Sequence, residues 1–371
     1  MKYWRGYLVA IIAAACAWGL ARFAEAHSVL VDMVYPYVTR MIQSFLAQWS
    51  TGVEFCVWQV LLLVLGVLVL LSVVLMILFK WNPIQWFGWV LAGVCLIGLV
   101  NTGIYGLNEY AGSLAQDVRL ENTEYNYTVR ELEQAAIFYR DKANALAEQV
   151  SRDSNGAVQY PEFTQLAEMA GEGFQILTYE QYLSVFAGSR LPVKELGWSD
   201  YFSSQGITGM TVALTGEAAV NPQIPAVCLP FAMCREMGRR MSIAGDRDAS
   251  FAAFLACNAN SSPEFQYSAY FMAFNYCYES MKTLGTSSGE AALQKFEAGI
   301  SRNLWQDLDS YNRFFGEKKR LNSEVCDLLV VWHIQEYVLP LLMEDEENLF
   351  DPKDESAVDL TGIVNAKKTE E

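Results

Sequence analysis

Histidine is nearly absent from this chain: 371 residues contain two, His27 and His333. Positive charge is scarce too, with 26 Lys and Arg against 42 Asp and Glu and a formal net charge of −16. The deficit is local. The first 106 residues hold five bases and three acids, so 21 bases face 39 acids beyond them. A surface that reads phosphates needs clustered Lys and Arg. The nearest basic runs, Lys318-Lys319-Arg320 and Lys367-Lys368, are short, flanked by acids and read as solvated surface, which argues against nucleic acid as a partner. There is no Gly-rich phosphate loop, and the eight cysteines include no CxxC pair, which removes support for nucleotide-binding and metal-knuckle chemistry.

Apolar residues are abundant, 53% against 18% charged, and are unevenly spread. Residues 57–79 form a run broken only by Gln59, Gly66 and Ser72. A bilayer core is crossed by roughly 20 apolar residues in a helix, so this run predicts a span. Lys80-Trp81-Asn82-Pro83 ends it with the cationic and aromatic residues suited to an interface. A second span is predicted over about 86–105, after a tight hairpin, with Gly93 and Gly98 placed for close helix packing. The first apolar segment, about 7–24, follows Lys2 and Arg5 and has two readings. Ala24-Glu25-Ala26 has the A-x-A form of a signal-peptidase site, with cleavage before His27; otherwise the segment is retained as a span. Either way the basic N-terminus and Lys80 are expected in the cytoplasm, with residues 107–371 outside. Residues 27–56 carry Leu30, Met33, Val38, Met41, Ile42 and Phe45 at mixed helical spacing. They form either an amphipathic helix at the outer interface or a packed connector, the second being favoured.

Beyond the spans the pattern is helical. Thr128-Val129-Arg130-Glu131 fits a capping box, and Leu132, Ala135, Ala136, Tyr139 and Ala143 repeat at three and four residues toward 150. Further helices are expected over 161–170, 179–186, 231–241, 249–258, 264–283, 289–315 and 323–343. Residues 206–230 are rich in Gly, Thr, Val and Pro and predict an extended edge strand with loops. The acidic stretch from 344 onward reads as a loose tail. The expected division is a membrane domain over 1–106, an outer helical domain over 107–343 and a tail over 344–371. The five outer cysteines are an odd number; Cys234 with Cys257 is the favoured disulfide, with buried free thiols as the alternative.

Several segments, in order along the chain, carry a resemblance. Gly106-Leu107-Asn108-Glu109-Tyr110 follows the last span, and Pro192-Val193-Lys194 comes later. Thr215-Gly216-Glu217-Ala218-Ala219-Val220-Asn221 is similar to T-G-E-A-N-V-N, Pro230-Phe231 leads into a helix, and Tyr267-Ser268-Ala269-Tyr270 is similar to Y-S-G-Y. Together they resemble a bacterial family of unknown function. Its members have about three N-terminal spans, the first retained, and an outer zincin-type domain with an H-E-x-x-H helix. The resemblance implies a membrane-anchored, mainly α protein, with about three transmembrane helices followed by an α-rich, zincin-like domain containing a small β segment. It also implies a multi-pass location in a bacterial cell membrane.

The departure from that pattern decides the functional expectation. In a zincin helix two histidines four residues apart bind Zn²⁺, and the Glu between them activates a metal-bound water. Here the histidine positions are Arg235 and Arg239, Glu236 stands at the general-base position, and Asp248 stands where the family has a ligand glutamate. A guanidinium has no lone pair to offer a metal, and two fixed cations repel one. The zinc is therefore expected to be lost, leaving no cofactor. Two carboxylates buried in an emptied cleft need partners, so Arg235 and Arg239 are expected to pair with Glu236 and Asp248. The functional alternative is that the guanidinium groups bind an anionic ligand or a peptide carboxylate. Glu217 and Tyr267 are further candidate cleft residues, Tyr267 having a plainer reading as core. The expected function is a non-catalytic, membrane-anchored pseudoenzyme with a binding or envelope-scaffolding role. Its expected partners are the lipid bilayer and an extracytoplasmic protein or peptide. The alternatives are a metallopeptidase with non-standard ligands and a purely structural membrane protein.

Overall fold

The computed structural model describes residues 4–120, 127–181, 183–283, 287–318 and 321–341; the expected tail from 344 lies outside them. Three helices are long and apolar enough to cross a membrane: α1 (Arg5–Ala26), α3 (Val57–Leu78) and α4 (Pro83–Ile104). Between the first two runs α2 (Ser28–Ser50). Helix α4 starts after Asn82, whose side chain accepts from Ile84 N and Gln85 N, with Pro83 in the first turn where its missing N–H costs nothing. Helix α1 packs extensively on α4 through small residues, Gly6, Ala10 and Ala13 against Gly88 and Ala92. A Cβ on Gly6 would fall 2.5 Å from the Gly88 carbonyl carbon, so glycine is required for this approach. The seam is not the expected one. Gly93 and Gly98 face open space, because α1 and not α3 is the main partner of α4. Helix α3 meets α4 near their hairpin, where Trp86 Nε1 donates to Ser72 Oγ at 3.0 Å.

The remaining helices are α5 (Leu114–Asp117), α6 (Val129–Ala147), α7 (Phe163–Met169), α8 (Gly171–Tyr179), α9 (Ser199–Ser204), α10 (Leu229–Arg240), α11 (Asp246–Ala259), α12 (Pro263–Thr283), α13 (Ser287–Ala298), α14 (Arg302–Phe315) and α15 (Ser323–His333). Strands β1 (Lys194–Glu195), β2 (Gly209–Val212) and β3 (Glu217–Val220) form a small sheet in the order β1-β3-β2. Strand β3 pairs parallel with β1 and antiparallel with β2, with Thr211 opposite Ala218.

The core of the helical domain is aromatic. Helix α12 packs on α6, α11 and α15; its Tyr270 meets Phe138 and Tyr139 of α6 and Phe254 of α11, while the buried Phe271 and Phe274 meet Tyr311 of α14 and Phe296 of α13. The Thr128–Glu131 capping box forms as expected, and Tyr139 from α6 donates to Leu329 O of α15 at 2.7 Å. Two expected boundaries move. The helix placed at 179–186 lies at Gly171–Tyr179, and residues 184–186 form only a 3-10 turn. Gly171 and Gly173 look like a stop in sequence, but burial against neighbouring elements overrides their low propensity. The single helix expected over 289–315 is two, because the chain breaks after Ala298 and Ser301 caps the start of α14 by accepting from Leu304 N.

Candidate functional site

Helix α10 rests on β3 and β2 on one side and on α11 and α12 on others. Met233, Cys234 and Met237 are buried, while Arg235 and Arg239, one turn apart, share the more open ridge. Ser268 on α12 fixes the beginning of the helix: its hydroxyl donates to Val227 O and accepts from Phe231 N at 3.1 Å.

The Glu236 carboxylate is fully buried. Its Oε1 accepts from Arg235 Nη2 at 3.1 Å and Nε at 3.3 Å. The Thr211 hydroxyl of β2 lies 3.0 Å from Oε2 and 2.9 Å from the Glu236 carbonyl oxygen. A side chain at Gly209 would strike the Glu236 Cγ at 2.7 Å, so glycine there lets β2 come down onto α10. Arg235 also donates to the Thr208 hydroxyl. Burial works against its charge, but Glu236 and then Asp246 more than compensate and raise it above the ordinary arginine value.

The four expected partners do not form one cluster. Arg239 Nη2 pairs with Asp246 at 2.6 Å, not with Asp248. Asp248 accepts from Arg247 Nε at 2.8 Å and from Leu114 N, at the start of α5, at 2.9 Å. Helical geometry explains the exchange. Two residues apart on α11, Asp246 and Asp248 point about 200° from one another around the axis. One meets α10 and the other meets α5.

Two cavities flank this ridge. One of about 560 Å³ is bordered by Arg235, Asp246, Tyr276, Tyr311 and Lys318. The other, about 830 Å³, is bordered by Arg239, Asp246, Asp248, Arg40 and Asp117. Asp246 borders both. Sequence reasoning gives it no role, although its place in the first turn of α11 is an available signal. Thr208 and Thr211 carry no signal, since their proximity to α10 is set by sheet register. Among the described residues no three of His, Cys, Asp and Glu converge as metal ligands.

The other candidates lie elsewhere. Glu217 accepts from Val57 N at 2.7 Å and Trp58 N at 2.9 Å, the first amides of α3, and from Lys194 Nζ at 2.8 Å. Lys194 also donates to Ser50 O at 2.7 Å and Phe55 O at 2.9 Å. Tyr267 donates to Asp307, which is held by Arg152 at 2.7 and 3.1 Å, and both phenol and carboxylate are buried in the helical core. The Cys234 and Cys257 thiols are both free, Cys234 donating to Ala170 O at 3.7 Å, and Cys277 and Cys326 are free with sulfurs 3.7 Å apart. A Gly285-Thr286-Ser287-Ser288-Gly289 string has the G-x-S-x-G spacing of a serine-hydrolase elbow. Part of it falls outside the described residues.

A family model described as a protein of unknown function, DUF3810, matches residues 31–330. The chain belongs to the DUF3810 family. Comparison with curated proteins and with solved structures gave no match. The DUF3810 match runs from within α2 to within α15 and includes both the α3–α4 hairpin and α10. The motif-like segments within it have structural work in common. Lys194 and Glu217 hold the start of α3, and Asn108 donates to Tyr105 O at 2.8 Å and to the Thr39 hydroxyl of α2 at 3.3 Å. Tyr105, at the end of α4, donates to Arg239 O at 2.7 Å and so ties that span to the last turn of α10. The helical domain is thereby joined to the candidate membrane helices α3 and α4 through part-buried hydrogen bonds.

Proposed function

We propose that this DUF3810 protein is a membrane-anchored pseudoenzyme whose outer domain is a zincin-like scaffold working by binding and not by hydrolysis. In this reading the protein lies in a bacterial cell membrane, and its large domain is extracytoplasmic. The carrying observation is the ion pair of Arg235 with Glu236. The carboxylate that would serve as general base is held by a guanidinium standing at the first ligand position. Arg239, at the second, is occupied by Asp246. Neither arginine offers a lone pair, and neither acid is free to polarise water. The cavities beside the ridge, lined by aromatic, cationic and acidic side chains, suit a peptide or protein partner carrying a carboxylate that competes for Arg235. A purified extracytoplasmic peptide set is the natural source of such a ligand.

Metal analysis of the full chain, purified in detergent after growth with added zinc, tests this reading. Far less than one zinc per chain is expected; one per chain, with peptide hydrolysis, overturns it. The Arg235→His/Arg239→His double variant is expected to gain zinc. Adding Asp246→Asn or Asp248→Asn then tells which carboxylate completes the site, and the geometry favours Asp246. Failure of the folded double variant to take up zinc under any of these conditions removes the zincin-like assignment of α10.

A further inference from the structure

Helix α2 is amphipathic in the wrong sense for water. Leu30, Val34, Val38, Met41, Phe45 and Trp49 follow one another at steps of three and four and are all exposed, Met41 at 74%, Phe45 at 63% and Trp49 at 82%. The buried face is mostly polar, Thr39, Arg40, Gln43 and Ser50, with only Val31 and the small Ala47 as apolar members. Gln43 donates to Ala213 O at 3.0 Å, and Arg40 donates to Val185 O at 3.2 Å and the Ser242 hydroxyl at 3.3 Å. A continuous stripe of six large apolar side chains along about 28 Å of helix is larger than a water-facing surface ordinarily carries.

The neighbours of α2 identify what covers the stripe. His27 alone separates α2 from α1, and six residues separate it from α3. Tyr35 donates to Thr102 O at the end of α4, and Asp32 accepts from Gly112 N just beyond it. At the other end Ser50 O is held by the same Lys194 that, with Glu217, grips the start of α3. Helix α2 therefore lies across the ends of all three spans, docked along its length on the helical domain, and does not itself cross. Around the start of α3 exposed aromatics gather: Trp49, Phe55, Trp198 and Tyr201, with Trp58 edge-on to Trp198 at 6.2 Å. Such rings settle at a membrane–water boundary.

We infer that α2 is an in-plane helix, with its Leu30–Trp49 stripe sunk among the acyl chains of the leaflet in which α1 ends and α3 begins. Its partner is phospholipid, held by apolar burial as in other interfacial helices. Asp32, Tyr37 and Arg40 also border the 830 Å³ cavity, which places that cavity beside the lipid headgroups. The proposal is independent of whether α10 is a former zinc site.

A benzophenone-bearing residue placed singly at 41, 45 or 49 of the full chain, reconstituted in phosphatidylcholine–phosphatidylglycerol vesicles and irradiated, tests it by mass spectrometry. Lipid-mass adducts are expected at all three positions, on the order of tenfold above those at exposed Arg130 of α6. These positions are already exposed, so folding is kept, and the melting curve of each variant verifies this. Cross-links to a second copy of the chain, or adducts no more frequent than at 130, overturn the proposal.

Discussion

Glu217 and Glu236 are both buried carboxylates facing a cation, yet they are held in opposite ways. Glu217 has every strong partner a carboxylate takes: an ammonium and two backbone amides at a helix start, where the dipole also favours negative charge. Its cation, Lys194, is itself saturated by two carbonyls. Glu236 has one guanidinium, a neighbour in sequence, and one hydroxyl, and its cation opens onto a cavity. The first arrangement is a rivet between sheet and span. The second is a pair whose cation borders a cavity.

The sharpest way to test the contrast is to remove one charge from the rivet. Glu217→Gln or Lys194→Met strands a buried partner, and each is expected to cost about 3–5 kcal/mol. Denaturant titration of the full chain in detergent, followed by near-ultraviolet circular dichroism, measures it. The double variant should cost clearly less than the two singles together, since it leaves neither charge alone. Glu236→Gln is expected to cost less, about 1–3 kcal/mol, because Arg235 keeps Thr208 and a route to solvent. If it costs as much as Glu217→Gln, the two sites are the same kind of rivet and the binding reading of α10 weakens. Thr211→Val should sit at the lower end of that range, about 1.5 kcal/mol for one hydrogen bond to a charged group.

The contrast also marks where sequence stops being informative. The spans at 57–79 and 86–105 were legible to within three residues, because length and hydropathy alone decide what fits a bilayer. The pairing of Arg235 with Glu236 was legible because a carboxylate buried on this helix needs a cation beside it. The exchange of Asp248 for Asp246 was not, since it depends on where α11 begins and which side each residue then faces. Glu217 read as a cleft residue for a similar reason. A glutamate in a motif-like stretch carries no mark showing that two of its partners lie some 160 residues away at the start of a candidate membrane helix. The α2 stripe was visible in Leu30, Met41 and Phe45, but periodicity cannot say whether an apolar face turns inward to protein or outward to lipid.

His333 supplies a third case, a buried ionisable group with no charge partner beside it. It packs between Phe138 and Tyr337, and its Nδ1 has no hydrogen-bond partner. Burial pushes the imidazole down from 6.5 to about 4. The native state therefore holds neutral His333 while the unfolded chain takes up a proton first. This contribution to stability is complete above about pH 6.5 and is lost as the pH falls toward about 4. Near neutrality the effect is smaller than that of any substitution at Lys194, Glu217, Glu236 or Thr211. Comparing wild type with His333→Phe from pH 7.5 to 4.5 isolates it from the many carboxylates that titrate in both proteins. Their stabilities should differ by a constant down to about pH 6.5 and then converge, or cross, as the wild type alone bears the cost of an imidazole kept from its proton. Parallel curves throughout would mean that His333 is hydrated in the native protein, and the aromatic wall around it would then be open.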